Sequence, residues 1–184
     1  MRFGALVLTG GASSRMGADK AALDWLGVRA VDRVMAIAEA LGAAPIYGVG
    51  ARSYGRAHVV EEPAFSGPVG GILAGAAALQ FQGCWRAVIL AVDAPSLLPE
   101  DVRPLLAVGG AGAIYTGFPL PMVLTLAALS AEARAGWPLT RLAETAGLTR
   151  LDCPPDARAR IRGANTPSER DALLQSLRDP GQSL

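Results

Sequence analysis

Short, uninterrupted apolar runs alternate with segments of helical periodicity along most of the chain, and this alternation restricts the possible folds more than any other feature. The runs at Phe3–Leu8 and at 87–92 contain no charged residue, which is typical of strands that are covered on both faces of a sheet. Residues 30–41 instead place apolar side chains at helical spacing. Buried strands separated by helices predict a single-domain, three-layer α/β/α fold around a mainly parallel, Rossmann-like sheet.

The same patterns predict the remaining elements. Further strands are expected at 45–49, 58–60, 113–116 and 122–126, and further helices at 68–79, Pro99–Ala107, 126–135 and 139–146. A final helix begins after Thr166, because Thr166, Pro167 and Glu169 have the order of an N-cap, a first-turn proline and a capping-box glutamate. We expect the domain to cover residues 1–178 and residues 179–184 to form a flexible tail.

The overall charge gives no indication of a polyanionic partner. The chain has 17 Lys and Arg against 16 Asp and Glu, so no strong field draws it to nucleic acid or to an anionic membrane. The longest apolar stretch, 69–79, is interrupted by glycines and is too short to span a bilayer. The first apolar run is too short for the core of a signal peptide. We therefore expect a cytoplasmic protein without a nucleic-acid or membrane partner.

Several catalytic and metal-binding arrangements are difficult to build from the residues that this chain has. His58 is the single histidine, which argues against a His-based metal cluster and against a Ser-His-Asp triad. Cys84 and Cys153 lie far apart in the sequence and lack the spacing of metal ligands. We expect both cysteines to be small apolar core residues, which is compatible with a reducing cytosol.

A glycine-rich loop follows the first predicted strand, at the edge where parallel sheets bind ligands. Gly10 and Gly11 let the backbone turn sharply, and its N–H groups can then surround an anion. Arg15 offers a planar fork for phosphate oxygens, and Lys20 adds a second positive charge. The spacing matches neither a Walker A loop nor a dinucleotide-binding fingerprint. We predict that residues 10–20 bind a triphosphate; an ordinary loop with two solvated charges is the alternative.

This loop resembles the signature loop of the nucleotidyltransferases that include the sugar-nucleotide pyrophosphorylases, in the order Leu8-Thr9-Gly10-Gly11-x-x-x-Arg15-Met16-Gly17-x-Asp19-Lys20. It is most similar to the molybdenum cofactor guanylyltransferases, the molybdopterin-guanine dinucleotide biosynthesis protein A family. The resemblance implies a fold of the nucleotide-diphospho-sugar transferase type. It also implies that Arg15 and Lys20 are catalytic, and that nucleotide contacts come from Leu8, Thr9, Gly10, Gly11 and Lys20.

Asp93 ends the most apolar predicted strand. A carboxylate there is costly to bury unless it is paired or bound to a cation, and Mg²⁺ takes one or two carboxylates together with phosphate oxygens and water. A turn or N-cap aspartate is the alternative that the residues leave open. Asp93-Ala94-Pro95 resembles the family's Asp-x-Pro element, which implies that Asp93 is catalytic, holds Mg²⁺ and contacts the nucleotide.

A second glycine-rich segment, residues 62–71, follows the predicted strand at 58–60. Its Gly67-Pro68-Val69-Gly70-Gly71 resembles the family's Gly-Pro-Leu-x-Gly element. Its glycines leave the start of a helix bare, either for a flat base or for close packing of helix and sheet. The resemblance implies nucleotide contacts by Glu62, Pro68 and Gly71. The sequence departs from the family at two points, because 47–52 contains no asparagine and Glu62 replaces an expected aspartate.

The acceptor side is the least defined part of the sequence. Asn165 belongs to an Asn-Thr-Pro element that resembles one near the family's active site, and this implies a place for Asn165 on the acceptor side. An acceptor phosphate could also be contacted by surface arginines, which are otherwise simply solvated: Arg52, Arg56, Arg141 and Arg162.

The resemblance implies a Mg²⁺-dependent enzyme that transfers GMP from GTP to molybdopterin and releases pyrophosphate. Molybdoenzymes or other proteins of the cofactor pathway would be its partners. The first alternative is a molybdopterin cytidylyltransferase or another small-phosphate nucleotidyltransferase. The second is a relative that binds nucleotides without turning them over.

Overall fold

The computed structural model describes residues 2–9, 19–60, 67–164 and 166–178. The first helix of this part, α1, covers Ala30–Ala40, and the others are α2 (Gly67–Phe81), α3 (Pro99–Ala107), α4 (Leu139–Thr145), α5 (Pro155–Arg162) and α6 (Pro167–Arg178). The strands are β1 (Phe3–Leu8), β2 (Asp24–Trp25), β3 (Val28–Arg29), β4 (Ile46–Val49), β5 (His58–Val59), β6 (Arg86–Ala91), β7 (Gly112–Tyr115), β8 (Phe118–Thr125) and β9 (Thr149–Leu151). Among these helices, none combines the length and the apolar character that a membrane span requires.

Seven of the strands form one sheet in the order β5-β4-β1-β6-β8-β7-β9, and β2 and β3 form a separate hairpin. The neighbours from β5 to β6 all run parallel. β8 runs antiparallel to β6 and β7, while β9 runs parallel to β7. The predicted mainly parallel sheet is therefore confirmed. Because β1, β4, β5 and β6 share one direction, the segments that follow them meet at one edge of the sheet.

Helices cover both faces of this sheet, which confirms the predicted three-layer architecture. Helices α1, α3, α5 and α6 pack on one face and α2 and α4 on the other. A hydrophobic core lies on each face of the sheet. In β1, Ala5 and Val7 belong to the core under α1, whereas Leu6 and Leu8 belong to the core under α2. An apolar run without polar alternation is what a strand covered on both faces requires.

Helix α2 packs directly on β1 at Gly75. A Cβ atom added to Gly75 would lie 2.6 Å from a Cδ atom of Leu6, so this glycine is needed for the packing of the helix on the strand. At least one glycine of α2, Gly75, is therefore explained by the packing of the helix on the sheet.

The capping box predicted for the last helix is present. The Thr166 hydroxyl accepts a hydrogen bond from the Glu169 N–H at 3.2 Å, and the Glu169 carboxylate accepts one from the Thr166 N–H at 2.9 Å. The two residues thus satisfy each other's free backbone donors at the start of α6.

The predicted helix at 126–135 is wrong. Leu126–Ala128 forms a single 3₁₀ turn, and the chain then continues as an irregular segment to α4. The Ser130 hydroxyl accepts from the Glu132 N–H at 3.1 Å, a local bond that competes with helical hydrogen bonding.

The sequence patterns also missed α5, β9 and the hairpin. In α5 only Ala157 and Ile161 are buried, so its apolar periodicity is weak. β9 is a three-residue edge strand, and the hairpin strands have two residues each. The proposed tail, 179–184, lies outside the described residues, and the domain limit at residue 178 stays a prediction.

Candidate active site

Two opposite charges meet where β1 and β6 end. The Nζ atom of Lys20 lies 3.7 Å from Oδ2 of Asp93, and the two side chains are 22% and 32% exposed. Burial raises the pKa of Asp93, and the positive charge of Lys20 offsets only part of that effect. Among the described residues, Lys20 therefore compensates only part of the cost of burying this carboxylate.

The backbone of Asp93 is held by the segment that follows α5. The Ala164 N–H donates to the Asp93 carbonyl oxygen at 2.9 Å. Gly163 has a φ of 65°, and a Cβ atom on it would lie 2.1 Å from that same oxygen. Only glycine fits this contact. The predicted acceptor-side residue Asn165 lies outside the described residues, but the preceding residue, Ala164, forms the hydrogen bond to the Asp93 carbonyl.

The end of β1 is fixed to the strands on either side of it. The Thr9 N–H and the Thr9 hydroxyl both donate to the Val49 carbonyl, at 2.9 and 3.0 Å. The Leu8 carbonyl accepts from the Val92 N–H at 3.1 Å. The predicted nucleotide contacts Leu8 and Thr9 thus lie at the same sheet edge as Asp93. Four further predicted residues lie outside the described residues: Gly10, Gly11, Arg15 and Glu62.

The carboxylate of Asp19 accepts hydrogen bonds from the loop between β4 and β5. Its Oδ2 accepts from the Tyr54 hydroxyl at 2.7 Å and from Arg52 at 3.2 Å, while its Oδ1 accepts from the Ala21 N–H at 3.1 Å. Burial and the bond to Asp19 raise the pKa of Tyr54 to about 12. These contacts fix the 3₁₀ turn Lys20–Ala22 and with it the backbone of Lys20. Sequence analysis did not identify Tyr54, and no local motif marks it.

The start of α2 presents two of the predicted nucleotide residues. Pro68 is exposed in the first turn, whereas Gly71 is buried one turn later. Pro68 therefore has a surface that a ligand can reach directly.

A pocket of about 620 Å³ opens beside Asp93. The end of β6 forms one wall, the turn before β8 and the start of β8 form a second, and α5 forms a third. Its lining residues are Ala91, Asp93, Thr116, Gly117, Phe118, Pro119, Leu120, Arg158, Ile161 and Arg162. A cavity of this size can hold a small organic ligand.

The four arginines considered for an acceptor phosphate lie in four different environments. Arg52 pairs with Asp19, Arg56 pairs with Asp32, and Arg141 stacks on the ring of Trp137 at 4.0 Å. Arg162 lines the pocket beside Asp93. Arg158 lines it too, but the sequence did not reveal this residue because α5 was not predicted.

A metal site here would depend on Asp93. The part of the chain that the structure describes contains no group of three or more His, Cys, Asp or Glu side chains that could hold a metal ion. Mg²⁺ needs only one or two protein carboxylates when phosphate oxygens and water complete its shell. Asp93, whose burial Lys20 compensates only partly, fits that requirement.

Similar solved structures support the fold. A nucleotidyl transferase from Methanothermobacter thermautotroptrophicus superposes with a TM-score of 0.74 at 16% identity, over 95% of this chain and 99% of that one. Molybdopterin-guanine dinucleotide biosynthesis protein A from Archaeoglobus fulgidus gives 0.69 at 17%, over 95% and 98%. The 2-C-methyl-D-erythritol 4-phosphate cytidylyltransferase from Thermus thermophilus gives 0.60 at 13%, over 97% and 100%. At these identities the likeness shows a shared fold.

No curated protein matches the sequence. A family model does match: the MobA-like NTP transferase domain aligns with residues 5–151, which run from β1 to the end of β9. This range covers most of the chain and includes both Lys20 and Asp93. The nucleotidyltransferase resemblance of the first loop is thereby confirmed, and the chain belongs to the MobA-like NTP transferase family.

Proposed function

We propose that this chain is a Mg²⁺-dependent molybdenum cofactor guanylyltransferase, which transfers GMP from GTP to molybdopterin and releases pyrophosphate. The pairing of Lys20 with Asp93 at the sheet edge carries this proposal. The cation suits a triphosphate, and the half-buried carboxylate suits its metal ion. Family membership supports nucleotidyl transfer as the reaction class.

The proposed reaction requires no nucleophile from the protein. A phosphate oxygen of molybdopterin attacks the α-phosphorus of GTP, and the bond from that phosphorus to the oxygen bridging to the β-phosphate breaks. Pyrophosphate leaves with the electron pair of that bond. Mg²⁺, when bound to Asp93, supplies positive charge that neutralises the triphosphate. Catalysis then depends on positioning and on charge neutralisation, which fits a chain with one histidine.

The first loop would bind the triphosphate. Lys20 would donate to phosphate oxygens and stabilise the charge that grows on pyrophosphate, together with Arg15. The backbone N–H groups of Gly10 and Gly11 would complete the phosphate contacts. The bonds from Asp19 to Tyr54 and Arg52 support this assignment, because they hold the backbone next to Lys20.

We assign the base and the acceptor to the segments that flank this loop in the fold. Glu62, Pro68 and Gly71 would form the base side, and the exposure of Pro68 at the start of α2 supports that assignment. Asn165 would lie on the acceptor side. The bond from Ala164 to the Asp93 carbonyl supports this second assignment.

Binding of GTP and CTP can be compared directly by thermal unfolding with Mg²⁺ present. A ligand at a hundred times its dissociation constant stabilises the folded state by about 2.7 kcal/mol, which raises the Tm of a chain of this size by roughly 5–10 °C. We expect GTP to raise the Tm more than CTP at equal concentration. Selective stabilisation by CTP would overturn the guanine assignment and favour a cytidylyltransferase.

Turnover is tested separately by measuring pyrophosphate release with GTP, Mg²⁺ and molybdopterin. We expect release that depends on all three components. A folded preparation that binds GTP without releasing pyrophosphate would instead support the non-catalytic alternative.

A further inference from the structure

Helix α5 lies beyond the residues that the family model matches, yet it supplies one wall of the pocket beside Asp93. Its two outward-facing arginines, Arg158 and Arg162, are one helical turn apart and therefore lie on the same face of the helix. Both line the pocket, together with Ile161. The pocket thus has a wall with two positive charges next to the carboxylate proposed to hold the metal.

Arg160 explains why α5 presents this face. Its guanidinium donates to both carboxylate oxygens of Asp101, at 2.6 and 2.9 Å, and Asp101 is only 5% exposed. Ala157 and Ile161 pack in the core. A buried two-pronged ion pair and two apolar contacts fix the rotation of the helix about its axis. Arg158 and Arg162 are thereby left to face the pocket.

The charges of these two arginines are not neutralised within the described residues. Arg158 makes one long contact, 3.5 Å from its Nε to the Cys153 carbonyl. Arg162 forms no hydrogen bond or ion pair with any residue that the structure describes, and both side chains are exposed. Among the described lining residues, the one carboxylate is Asp93, which pairs with Lys20. Such a wall favours an anionic ligand.

The wall formed by the start of β8 has a different character. Phe118, Pro119 and Leu120 line it, and all three are partly buried. An aromatic ring, a proline ring and an aliphatic side chain offer an apolar surface to a flat or apolar molecule. One side of the pocket therefore favours an anion and the other an apolar body.

We propose that Arg158 and Arg162 bind the anionic group of the acceptor, which is an organic phosphate whose ring system lies on Phe118, Pro119 and Leu120. This proposal rests on the proposed function, because it takes the pocket to be the acceptor side of a nucleotidyl transfer centred on Asp93. It assigns the recognition of the acceptor to a helix that the family model does not cover.

Phenyl phosphate is a suitable probe, since it combines a phosphate with a planar ring. Titration into the ¹⁵N-labelled full chain, followed by NMR, should shift the backbone amide signals of Gly117, Phe118 and Leu120 and those of 158–163. Phenol, which lacks the charge, should bind at least about tenfold more weakly. Shifts confined to other parts of the chain, or equal binding of phenol, would overturn the proposal.

Substitution of the arginines tests their role. Arg158→Gln and Arg162→Gln should each weaken phenyl phosphate about tenfold, and Arg162→Lys should restore part of the loss. Arg150→Gln is the matched control, because Arg150 lies on β9 and pairs with the exposed Glu144 outside the pocket. Circular dichroism during heating checks that each variant is folded. Unchanged affinity in folded Arg162→Gln would refute the assignment.

Failure of the pocket assignment can be distinguished from failure of the proposed function. If GTP raises the Tm equally in wild type and in Arg162→Gln while phenyl phosphate binding is lost, the pocket assignment holds whether or not pyrophosphate is released. If pyrophosphate is released with molybdopterin and Arg162→Gln leaves the KM for molybdopterin unchanged, the pocket assignment fails and the proposed function stands.

Discussion

At the scale of single residues, the environment of Asp93 links the fold to the proposed chemistry. Burial disfavours the charged carboxylate and raises its pKa, whereas Lys20 at 3.7 Å favours the charged form. A metal ion and a triphosphate would add positive and negative charge to the same place, so that Lys20 could pair with phosphate while Asp93 pairs with the metal. The ion pair therefore places both groups side by side where the proposed metal ion and triphosphate would bind.

We expect Lys20→Ala to reduce kcat/KM for GTP about a hundredfold, because removing one charge-assisted contact to the reacting phosphates costs about 3 kcal/mol. Pyrophosphate release measures the effect. Arg134→Ala removes an exposed cation from the segment before α4 and should leave the rate unchanged. Wild-type activity in the Lys20 variant would show that this residue has no role in turnover.

Lys20 can also be observed without an activity assay, since it is the single lysine of the chain. Reductive methylation with ¹³C-formaldehyde labels its side chain and, as a separate signal, the terminal amine. We expect GTP with Mg²⁺ to shift the side-chain signal, because phosphate oxygens would replace Asp93 as its partner. A side-chain signal that does not respond to saturating GTP would contradict the phosphate contact.

Tyr54 acts through Asp19, so we describe it as a positioning residue. Tyr54→Phe removes one hydrogen bond and should lower the free energy of unfolding by about 1 kcal/mol. It should raise the KM for GTP several-fold with little change in kcat. Tyr47→Phe is the control, because the Tyr47 hydroxyl forms no hydrogen bond with any described residue.

The pH dependence of this difference follows from the pKa of Tyr54. Folding raises that pKa from 10 to about 12, so the bond contributes fully below pH 10 and its contribution falls as the pH rises toward 12. Urea unfolding should therefore show the gap between wild type and Tyr54→Phe narrowing over that interval. A gap that stays constant up to pH 12 would argue against a neutral Tyr54 donor.

At the scale of elements, the junction between α5 and β6 determines where Asp93 lies. Gly163 and Ala164 contact the Asp93 carbonyl directly, so the end of α5 is fixed to the end of a central strand. The same helix is oriented by the pair of Arg160 and Asp101. One helix thus positions both the proposed metal ligand and the proposed acceptor wall.

Gly163→Ala tests this junction. The new Cβ atom would lie 2.1 Å from the Asp93 carbonyl oxygen, and the strained backbone and the contact together should cost more than about 2 kcal/mol. Activity should fall as well, because Asp93 must move. Gly110→Ala has a similar φ, 63° against 65°, but nothing lies within 4 Å of its Cβ position, so it measures the cost of a positive φ without the contact. Equal effects of the two substitutions would exclude a role for the contact.

At the scale of the whole molecule, the central strands join two hydrophobic cores. β1 contributes alternate side chains to both faces of the sheet, and β6 does the same. Neither core can lose its strands without exposing the other. We therefore expect the chain to unfold as one unit.

Buried tryptophans provide a probe for each core. Trp25 belongs to the core under α1 and Trp137 to the core under α2, whereas Trp85 is 40% exposed. Variants that retain only Trp25 or only Trp137 should each show the same urea midpoint by fluorescence and by circular dichroism. A fluorescence midpoint that differs from the circular-dichroism midpoint in either variant would indicate that the cores unfold separately.

The fold was predictable wherever burial leaves a strong local pattern. β1 and the part of β6 that follows Arg86 are apolar because both of their faces are covered, and α6 has a complete capping box. The first loop also indicated the family, because its residue types fall at the fixed offsets of a signature that the family model bears out. In these places the physical requirement acts on neighbours in the sequence, so the sequence alone determined the sheet class, while the phosphate loop and the role of Asp93 stay predictions.

Other features depend on contacts between distant segments and were decided only by the tertiary structure. Helix α5 is mostly polar, and its orientation comes from Asp101, 59 residues earlier in the chain. The hydrogen bond from Tyr54 to Asp19 joins residues that lie 35 positions apart in the sequence, and no local pattern indicates it. A single hydrogen bond or ion pair between distant segments produces no recognisable spacing of residues in the sequence. For this reason the sequence predicted a phosphate loop and a metal ligand, while the pocket beside them required the folded chain.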